Sequence, residues 1–149
     1  MEAASAVVLA IALAASPGSV CRPAQTDTAT RPIPPPLAPA VIAAFEVRMT
    51  PAEVVHTGVI RCAEGHLLAC LVGANLNCGK ADPRTGNSGA SDWCRDHANS
   101  DFVPAFATGH DTIYAWRCDG RRAVIARQIE HVDRQGFVAE NWKLVISDP

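Results

Sequence analysis

The sequence predicts an α+β fold: a small, mainly antiparallel β-sheet of hairpins with one or two short helices, stapled by disulfides. Three observations predict it. Six cysteines fall in a chain of 149 residues, and from Cys62 onward they are spaced by eight, eight, sixteen and twenty-four residues with no C-x-x-C. That pattern favours a disulfide framework over a zinc ribbon or a thioredoxin-type site. Two glycine turns, Glu64-Gly65 and Asp119-Gly120, each separate strand-like runs. Finally, Thr50-Pro51-Ala52-Glu53 places Thr at an N-cap, Pro at the first helical position and Glu where it completes a capping box.

The chain divides into three parts by composition. Residues 1–20 read as a signal-peptide-like segment, because Val7 to Ala15 is an apolar run too short to cross a bilayer and Ala12-Leu13-Ala14 offers small residues for cleavage. The usual positive start is missing, since Glu2 is the only charged side chain before Arg22; a start codon further upstream would account for it. Cys21 stands where a lipoprotein cysteine would, but Val20 is not the small residue a lipobox needs, so a lipid anchor is not expected and Cys21 reads as unpaired. Residues 21–40 carry six prolines, from Pro23 to Pro39, and read as a disordered linker biased to polyproline conformations. Residues 41–149 are then one α+β domain with room for a single modest core.

Within that domain, Ala40 to Val47 suits a short helix or strand, and the helix capped by Thr50 is stopped by Gly58. Val59 to Cys62 and Leu67 to Leu71 form a hairpin about Glu64-Gly65. Between Cys78 and Cys94 the chain is rich in Gly, Asn, Ser and Pro without apolar periodicity. A loop that long needs an anchor, and a Cys78–Cys94 bridge would stabilise it by about 3 kcal/mol. Ser88 or Ser91 can cap a short helix through Asp92 to His97, ended by Asn99-Ser100. Asp111 to Glu130 forms a second hairpin; with Asp119-Gly120 as its turn, Trp116 lies opposite Ala123, Tyr114 opposite Ile125, and Arg117 opposite Arg122. Tyr114, Trp116, Ala123 and Ile125 then share a core face. A turn at Asp133 to Gly136 leads to a last strand from Phe137 to Ile146. Arg61-Cys62 and Arg117-Cys118 each precede a glycine turn, a match too short to establish a repeat.

The block formed by Arg61-Cys62, Gly73 to Lys80, Trp93-Cys94-Arg95, Phe106 to Tyr114 and Gly136 through Trp142 resembles a group of small exported bacterial proteins. The resemblance covers roughly Val59 to Leu144. It implies export and a shared fold, and it brings no activity and no catalytic residue with it. In size and hairpin character the chain is also similar to the periplasmic inhibitors of lysozyme, without a motif matching their active-site-plugging loop.

The chemistry-bearing residues point to few functions. Cys62, Cys70, Cys78, Cys94 and Cys118 are the disulfide candidates, with Cys78–Cys94 as the first bridge and Cys62 or Cys70 joined to Cys118 as the second. Five cysteines beyond Cys21 leave one thiol over. A free Cys94 beside His97 at i,i+3 could serve a Cys-His hydrolase or a thiol redox enzyme. His110 and Asp111 could orient an imidazole for acid–base work, against the reading that they cap a turn. Arg117, Arg122, Arg121 and Arg127 form a candidate anion or partner face. Trp93, Trp116 and Trp142 could line a sugar platform, against the reading that they are core. The histidines show no metal-ligand spacing, so no metal and no cofactor are expected. With 13 basic and 15 acidic side chains, the basic excess of a nucleic-acid binder is missing. The expected protein is therefore an exported, periplasmic or secreted, binding or inhibitor-like module without a transmembrane span, whose partner is an envelope protein or a small anionic ligand. The alternatives are the small Cys/His enzyme and a purely structural envelope component.

Overall fold

In the computed structural model the described residues are 20–73 and 76–146; the signal-like segment up to residue 19 and residues 74–75 of the resembling block lie outside them. The first antiparallel sheet runs in the order β1-β2-β3-β6, with β1 at Arg31–Pro32, β2 at Gly58–Ala63, β3 at His66–Leu71 and β6 at Lys143–Leu144. A second sheet is the hairpin of β4, Tyr114–Asp119, with β5, Arg122–Gln128. Helices α1 (Ala38–Phe45) and α2 (Pro51–Thr57) pack on the first sheet, and α3 (Ser88–Asp96) and α4 (Ala105–Thr108) accompany the second. The architecture is the α+β, disulfide-stapled arrangement the sequence predicts.

Capping and turn chemistry explain why the first half forms where it does. Thr50 Oγ1 accepts from the Glu53 amide, and the Glu53 carboxylate accepts from the Thr50 amide at 2.7 Å, so two otherwise orphaned donors at the start of α2 are satisfied reciprocally. The backbone and hydroxyl of Thr50 hold the Glu53 carboxyl below the usual carboxylate range. Thr50→Ala should therefore lower stability by about 1 kcal/mol; the check is a shift in the denaturant midpoint at unchanged slope. Gly58 ends the helix where a side chain would crowd the Val54 carbonyl at 2.7 Å. The β2–β3 turn falls at Glu64-Gly65 as predicted, both residues at positive φ, with Ala63 paired to His66 and Cys62 to Leu67.

The segment at 21–40 is not a disordered linker. Its prolines set the course of a packed strap: β1 pairs with β2, Ile33 and Leu37 are fully covered, and Cys21 is bonded to Cys62. Asp27 clasps the strap, accepting from the Cys62 amide at 2.8 Å, from Gln25 and from Arg31. Proline removes donors and fixes φ, which weakens central strands but suits an edge strand such as β1; the apolar residues between the prolines then supply the burial.

The three bridges are Cys21–Cys62, Cys70–Cys78 and Cys94–Cys118, and no cysteine is free. The expected Cys78–Cys94 bridge, the bridge from Cys62 or Cys70 to Cys118, and the leftover thiol are all overturned. Loop-closure arguments concern chain length and cannot see that β3 returns Cys70 beside Cys78, nor that α3 lays Cys94 under β4. Each bridge sits in its own apolar cluster. Cys21 and Cys62 lie with Leu37, Val41, Val54 and Ile60 between the helices and one face of the first sheet. Cys70 and Cys78 lie with Phe137 and Trp142 on its other face, and Cys94 and Cys118 lie with Ala90, Val103 and Trp116 beneath the β4–β5 hairpin.

Two further expectations are corrected. The cap of α3 is Asn87, whose side chain accepts from the Ala90 amide at 2.8 Å, rather than Ser88 or Ser91. The expected last strand, Phe137 to Ile146, is reduced to Lys143–Leu144, with isolated bridges from Phe137 to Lys80 and from Val138 to Val132, because Asp133 captures the amides of Gln135 and Phe137 and a 3-10 turn follows at Ala139–Asn141.

Candidate functional site

The β4–β5 hairpin carries most of the predicted site residues, and its register decides what they meet. The pairing is Asp119↔Arg122, Cys118↔Ala123, Arg117↔Val124 and Trp116↔Ile125, with a bulge beyond it that sets Tyr114 opposite Gln128. The turn is thus Gly120-Arg121, with Gly120 at positive φ, one residue later than predicted. That moves the partners of Trp116, Arg117 and Cys118 by two residues, an even slip, and that of Tyr114, beyond the bulge, by three, so the side-chain faces are conserved while the partners change. Trp116, Ala123, Ile125 and Tyr114 do share the inner face against α3. Arg117 and Arg122, however, are not opposed: Arg117 faces Val124, and Arg122 meets Asp119 with a 3.4 Å ion pair. The like-charge clash deduced from the sequence does not arise.

The outer face of the hairpin is basic. Arg117, Arg121, Arg122 and Arg127 are all exposed, and among the described residues Arg117, Arg121 and Arg127 take part in no ion pair, whereas Arg122 is neutralised by Asp119. Strand alternation puts Arg117 on the side away from Trp116.

Behind the same hairpin lies a groove of about 330 Å³ between β4, the Phe102–Val103 segment and the residues that follow β5. The Val103 amide donates to the Trp116 carbonyl at 2.8 Å and the Ile129 amide to the Ile113 carbonyl at 2.8 Å, which ties both walls to the strand. His110, Thr112, Tyr114, Trp116 and Glu130 line it, with the exposed Phe102 ring at its edge. His110 reaches this groove, but Asp111 opens on a separate polar cavity beside Asp82, Arg84 and Asn87; the two are not brought together as an imidazole–carboxylate pair. In that cavity the Arg84 guanidinium holds the Asp82 carboxyl below the usual carboxylate range.

Cys94 offers no thiol, being bonded to Cys118, and His97 stacks on Trp93 with centroids 3.7 Å apart while its Nδ1 meets the Trp93 carbonyl. The Cys-His arrangement therefore has no nucleophile. Trp116 and Trp142 are buried in two different clusters, so the three tryptophans do not form a common platform. Among the described residues no cluster of His, Cys, Asp and Glu could hold a metal ion, and no helix is long and apolar enough to cross a membrane.

Sequence reasoning missed Arg61. Its side chain is 2% exposed, with its guanidinium over both the Phe137 and Trp142 rings at 4.4 and 4.5 Å and Nη2 donating to Asp133 at 2.5 Å. Arg61 and Arg117 occupy the two similar Arg-Cys segments, yet one is buried and the other exposed. The difference is coverage: β2 is packed on both faces, one of them by the 133–142 return, while the outer face of β4 is open. Nothing local to either segment signals this.

The fold and these surfaces define a small α+β protein in which each apolar cluster carries its own disulfide. Searched against family models, curated proteins and solved structures, the chain matches none.

Proposed function

We propose that this protein is a small exported binding module of inhibitor-like type, working in the periplasm or outside the cell, which docks an acidic surface of an envelope protein. The observation that carries the reading is the outer hairpin face, where Arg117, Arg121 and Arg127 stand exposed without ion pairs among the described residues. Guanidinium groups presented this way attract carboxylate-rich surfaces, accelerate encounter and can grip in bidentate fashion. The compartment is supported by three buried bridges, which the reducing cytosol would oppose. Capture from an envelope fraction on the immobilised disulfide-intact protein tests it. Reversing charge at Arg117 and Arg127 should weaken the captured interaction by about tenfold or more, mostly through slower, less salt-sensitive association. The same change at Arg122, already neutralised by Asp119, should cost less. Capture unchanged by the double reversal would remove this face as the docking surface.

A further inference from the structure

The two-stranded sheet has two edges, and among the described residues only one of them is covered. On the β4 side the Cys118 amide donates to the Ser100 carbonyl, and the Trp116 carbonyl accepts from the Val103 amide, both at 2.8 Å. The segment before α4 therefore closes that edge. Backbone groups alternate in direction along a strand, so Trp116 and Cys118, which turn theirs outward, form the non-hydrogen-bonded pairs with Ile125 and Ala123. Ala123 and Ile125 then direct their own amides and carbonyls out of the β5 edge. Among the described residues nothing bonds to those four groups. Their side chains pack with α3 on the inner face, yet both residues are only half-buried. The register steps from Ile125 to Arg127, and the bulge at Ala126 ends the regular edge.

Charge selects what fits there. Exposed Arg122 stands at one end of this edge and exposed Arg127 just past the other, with Arg117 across from Val124. Pairing β5 with a second copy would crowd the arginines of both chains on one face, which is destabilising. Charges and bulges are how edges avoid unwanted pairing; here they turn away basic strands and a second copy while leaving the four backbone groups unbonded. We propose that the β5 edge receives an extended acidic segment of the partner, added antiparallel as a third strand. Its alternate residues bond to Ala123 and Ile125, and its carboxylates lie beside the outer arginines. This mode of recognition rests on the acidic-partner reading above and adds the backbone to it.

The probe is a capped hexapeptide of alternating glutamate and valine, titrated at low salt into the disulfide-intact protein. Residues directly opposite one another share a face, so with the glutamates outward the valines lie opposite Ala123 and Ile125 and bond to them, and the glutamate amides point to water. Saturable binding is expected, with the largest amide shifts at Ala123 and Ile125. N-methylation of the valine amides should weaken it by about tenfold, and N-methylation of the glutamate amides should change it by less than about twofold. Lysine in place of glutamate should abolish it. Every change is made on the peptide, so the fold of the protein is untouched. No saturable binding, equal loss from either methylation, or greater loss at the glutamates would overturn edge addition. A concentration-dependent dimer that the glutamate peptide dissociates would assign the edge to a second copy instead. If binding falls on charge reversal at Arg117 and Arg127 but ignores both methylations, the arginine face stands and the edge falls. A lysine peptide bound as tightly as the glutamate one would remove both.

Discussion

Replacing Cys21 and Cys62 together by alanine should cost about 4 kcal/mol of stability, the largest loss among the three bridges. The sequence separations are 41, 24 and 8 residues for Cys21–Cys62, Cys94–Cys118 and Cys70–Cys78, and the chain-entropy relation orders the losses as about 4, 3.5 and 2.5 kcal/mol. The first pair also holds the strap that covers Ile33 and Leu37, so its removal adds the exposure of that apolar surface. Equilibrium denaturation of the oxidised variants gives the test; the Cys21/Cys62 variant should show both the lowest midpoint and the steepest slope, because its unfolded state is the least constrained. A loss below about 1 kcal/mol would mean that the strap is not part of the cooperative unit. The clasp beside this bridge makes the strap acid-sensitive. Burial raises the Asp27 carboxyl, but the bonds from Gln25, the Cys62 amide and Arg31 outweigh it and leave the group below the usual carboxylate range. A depressed folded value means that the ionised form binds the fold; its contribution is complete above the ordinary carboxylate pKa and fades as pH falls through the folded value. In the Cys21/Cys62 variant, proteolysis or amide exchange in residues 21–37 should rise on acidification before the rest of the protein loosens, and Asp27→Asn should flatten that response.

The second large effect concerns Arg61. Asp133→Ala should destabilise by about 3 kcal/mol, more than Arg61→Met does. The asymmetry follows from burial: the guanidinium is 2% exposed and the Asp133 side chain 21%. Removing the carboxylate strands a cation buried over Phe137 and Trp142, with Nε and Nη1 already without partners among the described residues. Removing the cation leaves a partly hydrated carboxylate that still accepts from the Gln135 and Phe137 amides. A methionine can pack over the same two rings, so Arg61→Met should cost only about 1 to 2 kcal/mol. A double-mutant cycle closes the comparison. If Arg61→Met proved the more damaging, packing of the arginine stem rather than charge compensation would dominate this site.

How much of this was legible in the sequence depended on the range over which each signal acts. The capping box at Thr50 and the turn at Glu64-Gly65 are local, and both stand where their residues put them. The β4–β5 hairpin was half legible: alternation sorted Trp116 from Arg117 correctly, while the choice between Asp119-Gly120 and Gly120-Arg121 as the turn was lost, and with it every cross-strand partner. Proline content misled at residues 21–40, because composition reports backbone preference and not that Ile33 and Leu37 find a helix pair to cover them. Of the candidate sites, the exposed arginines were readable and the groove was not. Tyr114 and Trp116 announce a core face, but only tertiary folding brings Phe102 and Glu130 to its margin. Arg61 is the extreme case, since its burial depends on Asp133, seventy-two positions away.

The cross-links join cysteines that are neighbours in the order of synthesis: first with second, third with fourth, fifth with sixth. A nascent polypeptide threading N-terminus first into an oxidant would find its proper mate in the next thiol to emerge. Of the fifteen ways to pair six sulfurs, this one would form in order of emergence without reshuffling by an isomerase.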